Sequence, residues 1–148
     1  MLMSLMFVSY CARAAVPSAT LEQLVRDSDR IIVGIVLETI GTKIEEPSDG
    51  QLHIATIEVA TALRGPSRGT VDIAYFPRSS VYPRFSAGDR VIVFLKRSLV
   101  DGRLYASAGP RGVVPMRGDM VKTSGISGQP NEQAASVFVA AIRAVLGQ

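Results

Sequence analysis

Tryptophan is missing from this chain, aromatic residues make up only 6% of it, and it holds one histidine and one cysteine. Each shortage excludes something. A lone cysteine forms no internal disulfide, and the thiolate clusters that hold zinc or iron–sulfur centres are out of reach. The single histidine, His53, has no second histidine beside it for a metal and no Asp/Glu pattern at ligand spacing, so it reads as a surface or half-buried strand residue. Past the first fifteen residues no apolar run approaches the roughly 18 residues of a membrane span. Charge of one sign is also scarce: the net value is +3, spread along the chain, a mild preference for an anionic partner. What is present is core material. With 47% apolar and 20% charged residues in 148, the chain has the composition of one globular domain and not of a disordered linker.

The first fifteen residues, "MLMSLMFVSYCARAA", stand apart. They are an apolar stretch ending in Ala12-Arg13-Ala14, the small–any–small pattern that a signal peptidase cleaves, so residues 1–14 are expected to be a signal peptide and the protein to be periplasmic or secreted. No Lys or Arg precedes the apolar core, which fits a leader whose true start differs from the recorded one. Cleavage after Ala14 removes Cys11, leaving no thiol nucleophile or cysteine ligand.

Next, "PSATLEQLVRDSD" has Thr20 and Gln23 at capping-box spacing, with Leu21, Leu24 and Val25 on one face, predicting a helix over 20–28. "RIIVGIVLETIG" is a β-branched strand whose Gly34 marks a bend or a close backbone approach. Pro47 and Asp49-Gly50 make a turn, a strand follows over 52–62, and "GTVDIAYF" alternates as a strand with one face inward. After the proline-rich connection "PRSSVYPRFSAGD", the run Val91–Leu95 is a core strand over 90–97; a hairpin through Asp101-Gly102 leads to "RLYASA" and "RGVVPM". "TSGISGQP" is a link. In the tail, Ala134, Val137, Phe138, Ala141, Ile142 and Val145 recur at helical spacing, and Pro130 suits the helix start.

The expected fold is therefore mainly β: a small five- to six-stranded barrel of the oligonucleotide/oligosaccharide-binding type over 15–128, with a short N-terminal helix, and a C-terminal amphipathic helix within 129–148 packing on it. "TLEQLVRDSDRIIVGIV", "EVATALRG" and "AGDRVIVFL" together resemble a sparsely characterised group of exported bacterial domains whose barrel is like that of tissue inhibitors of metalloproteinases. The resemblance covers residues 20 to about 115 and implies a barrel, not an activity. Those inhibitors use an N-terminal cysteine on the protease's metal and several disulfides; this chain has neither, so inhibition is not implied.

No catalytic, cofactor-binding or metal-binding residue is assigned, and no cofactor is expected. Glu45-Glu46 falls in a turn and Asp27/Asp29 at a helix end, where solvated charge is the default. "GISGQ" lacks nucleophile-elbow spacing, and Arg117-Gly118-Asp119 reads as a turn. The suggestive feature is a basic and aromatic cluster around one connection: Arg78, Tyr82, Arg84, Phe85 and Arg90, with Tyr75 and Phe76 just upstream. Rings stack on bases or sugars and guanidinium groups pair with phosphate or carboxylate; equally, Phe85 and Tyr75 can be core while the arginines keep a sheet edge soluble. The expectation is an exported, non-enzymatic binding domain whose 77–90 connection contacts an unknown protein or an anionic envelope polymer. Export makes nucleic acid unsuited as a partner. The alternative is a cytoplasmic protein of the same fold that binds single-stranded nucleic acid, and a hydrolase built on His53 is the remotest option.

Overall fold

In the computed structural model, residues 19–42, 52–77 and 82–148 are described. The expected leader, the Glu45-Glu46 turn and Arg78 lie outside them. A two-residue bridge, β1 (Ala19–Thr20), enters α1 (Leu21–Asp27) through the capping box its spacing predicts: Thr20 Oγ1 accepts the Gln23 N–H at 3.2 Å and Gln23 Oε1 accepts the Thr20 N–H at 3.0 Å. The helix ends at Asp27, one residue short of the expected end at residue 28, because Ser28 is extended. Arg64 then holds that end, donating from Nη1 to the carbonyls of Val25 and Ser28, each at 2.7 Å.

Two 13-residue strands, β2 (Arg30–Thr42) and β3 (Leu52–Arg64), pair antiparallel, and β4 (Thr70–Tyr75) continues from β3. On its other side β2 pairs with β5 (Arg90–Arg97). The short β6 (Leu104–Ala106) lies antiparallel to β5 and meets β4 in parallel at Ile73 and Leu104. That pairing closes a barrel of five strands in the order β2, β3, β4, β6, β5. It is compatible with the expected oligonucleotide/oligosaccharide-binding type. Three register shifts along β2 and β3 let the long strands curve around it. At one of them sits Gly34, where a Cβ would press on the Glu58 carbonyl oxygen and lie 2.6 Å from Ile57 Cγ2.

Beyond the barrel a 3₁₀ turn (Gly109–Gly112) leads to β7 (Val113–Arg117), β8 (Met120–Lys122), β9 (Ile126–Ser127), β10 (Glu132–Ala134) and α2 (Ala135–Leu146). β7 pairs with β5, β8 with β7, and β10 with β8, so the sheet continues past the closed barrel as an open extension. β9 pairs in parallel with β1. The described residues thus form ten strands, not five or six. Five of them, β1, β6, β8, β9 and β10, have two or three residues, too few for an alternation to register in a sequence.

The core is double. Inside the barrel pack Ile32, Val36, Ile57, Ile73, Tyr75, Phe85, Val91, Val93 and Leu95; outside it, under α1 and α2, pack Leu24, Ile31, Ile92, Phe94, Val121, Phe138 and Ile142. α2 starts at Ala135 and not near Pro130, because residues 132–134 are held as a strand against β8. Its buried face is also rotated from the expected one. Phe138, Ala141 and Ile142 of the expected stripe face the core, joined by Ala135, Val139 and Leu146, whereas Val137 and Val145 are exposed. Phe94 and Phe138 meet edge to face at 6.4 Å.

Gly34→Ala is expected to destabilise the barrel by about 1–3 kcal/mol, since β2 must move off Glu58 to admit a methyl group. Urea unfolding checks this, and a midpoint equal to the parent's would contradict the close approach.

Candidate functional site

The sheet extension leaves one face open. Along β7 and β8, Val114 and Val121 turn into the helix-side core, so alternation sends Pro115, Arg117, Met120 and Lys122 to the other face, where Pro115, Met120 and both cations are exposed. Gly118 and Asp119 form the two-residue turn between these strands, with Gly118 at φ 58°; the glycine takes the left-handed position a tight hairpin requires. The Arg117-Gly118-Asp119 triplet is therefore a turn, as expected. Against this face comes the chain leading into β5, carrying Arg84, Asp89 and Arg90. Asp89 shapes that approach, accepting the Ser86 N–H at 3.0 Å, while the main chain at Gly88 and Asp89 bonds to Val36.

Between them runs a groove of about 450 Å³ lined by Val113, Pro115 and Met120 and by the cations Arg84, Arg117 and Lys122, with Asp89 and Glu132 as its acids. Arg90 and Met116, paired with each other, border it, but the register turns their side chains to the helix-side face. Among the described residues none of these cations makes a side-chain hydrogen bond or ion pair; the ion pair present there is Arg103–Asp101 at 3.6 Å, elsewhere on the molecule. Arg84, Arg117 and Lys122, unengaged beside an open concavity, can hold carboxylate or phosphate, and the arginines can do so in bidentate fashion.

The residues expected to contact a ligand are divided by the fold. Arg84 is exposed in the groove, whereas Arg90, exposed at its border, faces the helix side with Met116. Phe85 is 7% exposed, its ring edge to face with Tyr75 at 5.1 Å inside the barrel. Tyr82 turns away, half-buried, onto Phe76 at 5.0 Å and toward Tyr105 at 6.2 Å. Arg117 and Lys122 were not among the expected contacts. Their signal is the alternation of cations with apolar residues across Gly118-Asp119, which matters only once β7 and β8 are known to extend the sheet.

His53 is half-buried in β3 with its ring edge to Tyr75 at 5.6 Å. Among the described residues no three His, Cys, Asp or Glu side chains cluster as a metal site would need. Asp29 accepts the Arg97 N–H at 2.8 Å, a strand-positioning role. No protein-family model matches the chain, and no curated protein matches it.

Among the described residues, the titrating group pushed furthest from its usual value lies beside the other end of β5. Tyr105 Oη donates to Asp101 Oδ2 at 2.6 Å; burial and then this carboxylate push the Tyr105 phenol up to about 12. The same hydrogen bond lowers the Asp101 carboxyl below its usual range, helped by the Arg103 N–H. A raised phenol stabilises the fold fully below the unfolded phenol value near 10, and that contribution fades as pH climbs through about 12. The lowered carboxyl acts oppositely, contributing above the unfolded carboxyl range and fading as acid protonates it. In a tyrosinate absorbance titration, one phenol should ionise only near pH 12 and vanish in Tyr105→Phe; an unchanged curve would mean the bond does not persist in solution.

Proposed function

We propose that this protein is an exported, non-enzymatic binding domain that holds an anionic partner in the groove between the 84–90 connection and the β7–β8 hairpin. The observation that carries the reading is the placement of Arg84, Arg117 and Lys122 along one open groove without side-chain partners among the described residues. Three cations against the two acids Asp89 and Glu132 leave a positive excess of 3 − 2 = +1, and an anion held between the cations offsets it. The groove supplies cationic donors beside apolar side chains, and its two acids, Asp89 and Glu132, are both exposed, an arrangement suited to holding charge.

Export rests on the apolar leader and its Ala12-Arg13-Ala14 site. It is supported by the resemblance to exported domains with a barrel like that of tissue inhibitors of metalloproteinases, and it points to an envelope polymer or an acidic protein face as partner. The exposed groove residues are Met, Pro, cations and the acids Asp89 and Glu132, and not the aromatic platforms on which bases stack, which weighs against single-stranded nucleic acid.

Fluorescently labelled polygalacturonate, a carboxylate polymer, is the first probe, with a labelled oligothymidylate beside it. The parent should bind the polysaccharide in a salt-sensitive way, and Arg84→Ala/Arg117→Ala/Lys122→Ala should weaken binding by roughly tenfold or more with the unfolding midpoint unchanged. Equal binding by parent and variant would remove the groove from the account. Tighter binding of the oligothymidylate, with a steep salt slope that shallows in the variant, would establish the nucleic-acid reading instead.

A further inference from the structure

The chain leaves β5 at Arg97 and returns as β6 at Leu104, and the tip between them presents two adjacent aliphatic side chains to water. Leu99 is 101% exposed and Val100 is 97% exposed; the next most exposed large apolar residue among those described, Val137, reaches 58%. Scattered surface aliphatics are ordinary, but two neighbours fully projected from a hairpin tip are not.

The tip is braced in that posture. Ser98 N–H donates to the Arg103 carbonyl at 2.8 Å and Gly102 N–H to the Ser98 carbonyl at 3.0 Å. Val100 N–H donates to Ser98 Oγ at 3.2 Å, and Arg97 Nη1 to the Gly102 carbonyl at 2.6 Å. Asp101 accepts both the Arg103 N–H at 2.9 Å and the Tyr105 hydroxyl at 2.6 Å. Every polar group in this network turns back toward the hairpin, and Leu99 and Val100 are left pointing out. Around the base stand Lys96, Arg97 and Arg103 against two carboxylates, Asp101 and Asp29, the latter on the Arg97 N–H at 2.8 Å, a local charge of 3 − 2 = +1. The rings of Tyr105 and Tyr82 lie just behind the tip, 6.2 Å apart.

We infer that the β5–β6 hairpin is a membrane-docking element: Leu99 and Val100 enter the outer acyl region of a bilayer containing anionic lipid while Lys96, Arg97 and Arg103 sit among its headgroups. A two-residue convex projection is far smaller than the roughly 800 Å² per partner of a stable protein interface. It suits insertion into a soft boundary only about 5–10 Å deep. The basic collar matches an anionic surface, and tyrosines with one apolar and one wet end belong at headgroup level. Among the described residues no helix is long and apolar enough to cross a membrane, so the contact is a surface one made by this tip. The cationic groove lies at the start of β5, and eight strand residues at about 3.3 Å each set it roughly 25 Å from the tip. A docked protein therefore keeps its groove clear of the bilayer. This inference is independent of what the groove binds.

The test uses vesicles of phosphatidylcholine alone and vesicles with about one third phosphatidylglycerol. Because the chain has no tryptophan, Leu99→Trp places a single reporter at the tip. Its emission is expected to shift blue on the anionic vesicles, and the parent to co-sediment with them. Leu99→Asp/Val100→Asp should reduce co-sedimentation by roughly tenfold or more. Both side chains are fully exposed, so its unfolding midpoint and its polygalacturonate binding should match the parent's. A reporter that does not shift, with protein left in the supernatant of both vesicle types, overturns the inference. So does vesicle binding that survives the two aspartates but is lost in the Arg84/Arg117/Lys122 variant, which would assign lipid contact to the groove. A parent that self-associates through the tip and ignores vesicles would likewise replace the bilayer with a second copy of the chain.

Discussion

Strand β5 is buried on both faces, and the rest of the molecule is arranged around that demand. Val91, Val93 and Leu95 point into the barrel, while Ile92 and Phe94 point out of it beneath the helices, and all five are at most 3% exposed. Alternating side chains of one strand thus belong to two separate cores. The barrel's outer wall cannot face water there, so α1 and α2 must cover it, and Phe138 meets Phe94 where they do. The same strand pairs with β2 along one edge over Arg90–Leu95, and along the other with β7 over Arg90–Val93 and then β6 over Leu95–Arg97, which is why the sheet both closes into a barrel and continues past it.

A strand so committed in its middle leaves function to its ends. At its start the chain enters through Gly88-Asp89 beside the open β7–β8 face, and cations gather where no core needs the space. At its finish the chain must turn back as β6 to meet β4 at a single residue pair, and the tight network that makes this turn also pushes Leu99 and Val100 into solvent. Closing the barrel and projecting the tip are one structural event. Apart from the Phe94–Phe138 pair beneath the helices, the aromatic rings that meet among the described residues form two series: His53, Tyr75 and Phe85 in one, Phe76, Tyr82 and Tyr105 in the other.

Much of the frame was readable residue by residue. The Thr20–Gln23 capping box, the bend at Gly34, the burial of Val91–Leu95 and the turns at Asp101-Gly102 and Gly118-Asp119 each follow from chemistry within a few positions, and each is found as expected. The C-terminal helix was legible as a helix but not in its orientation. Its sequence offers apolar residues over more than half its circumference, and only contact with β2, β5 and β8 selects Phe138 and Ile142 over Val137 and Val145. The basic-aromatic cluster was visible as a cluster, yet its members part company in space because Phe85 is drawn in by the barrel and Tyr82 by Tyr105.

The sequence by itself determined the local conformations: caps, turns, strand periodicity, and the amount of apolar side chain that had to be hidden. These depend on interactions between residues a few positions apart, which any window of the chain displays. Tertiary structure alone decided the parallel meeting of Ile73 with Leu104, the sheet extension through strands as short as three residues, and the gathering of Arg84, Arg117 and Lys122 along one groove. Those juxtapositions join residues separated by about thirty positions, and their energy comes from burial and pairing that exist only after the chain has closed on itself.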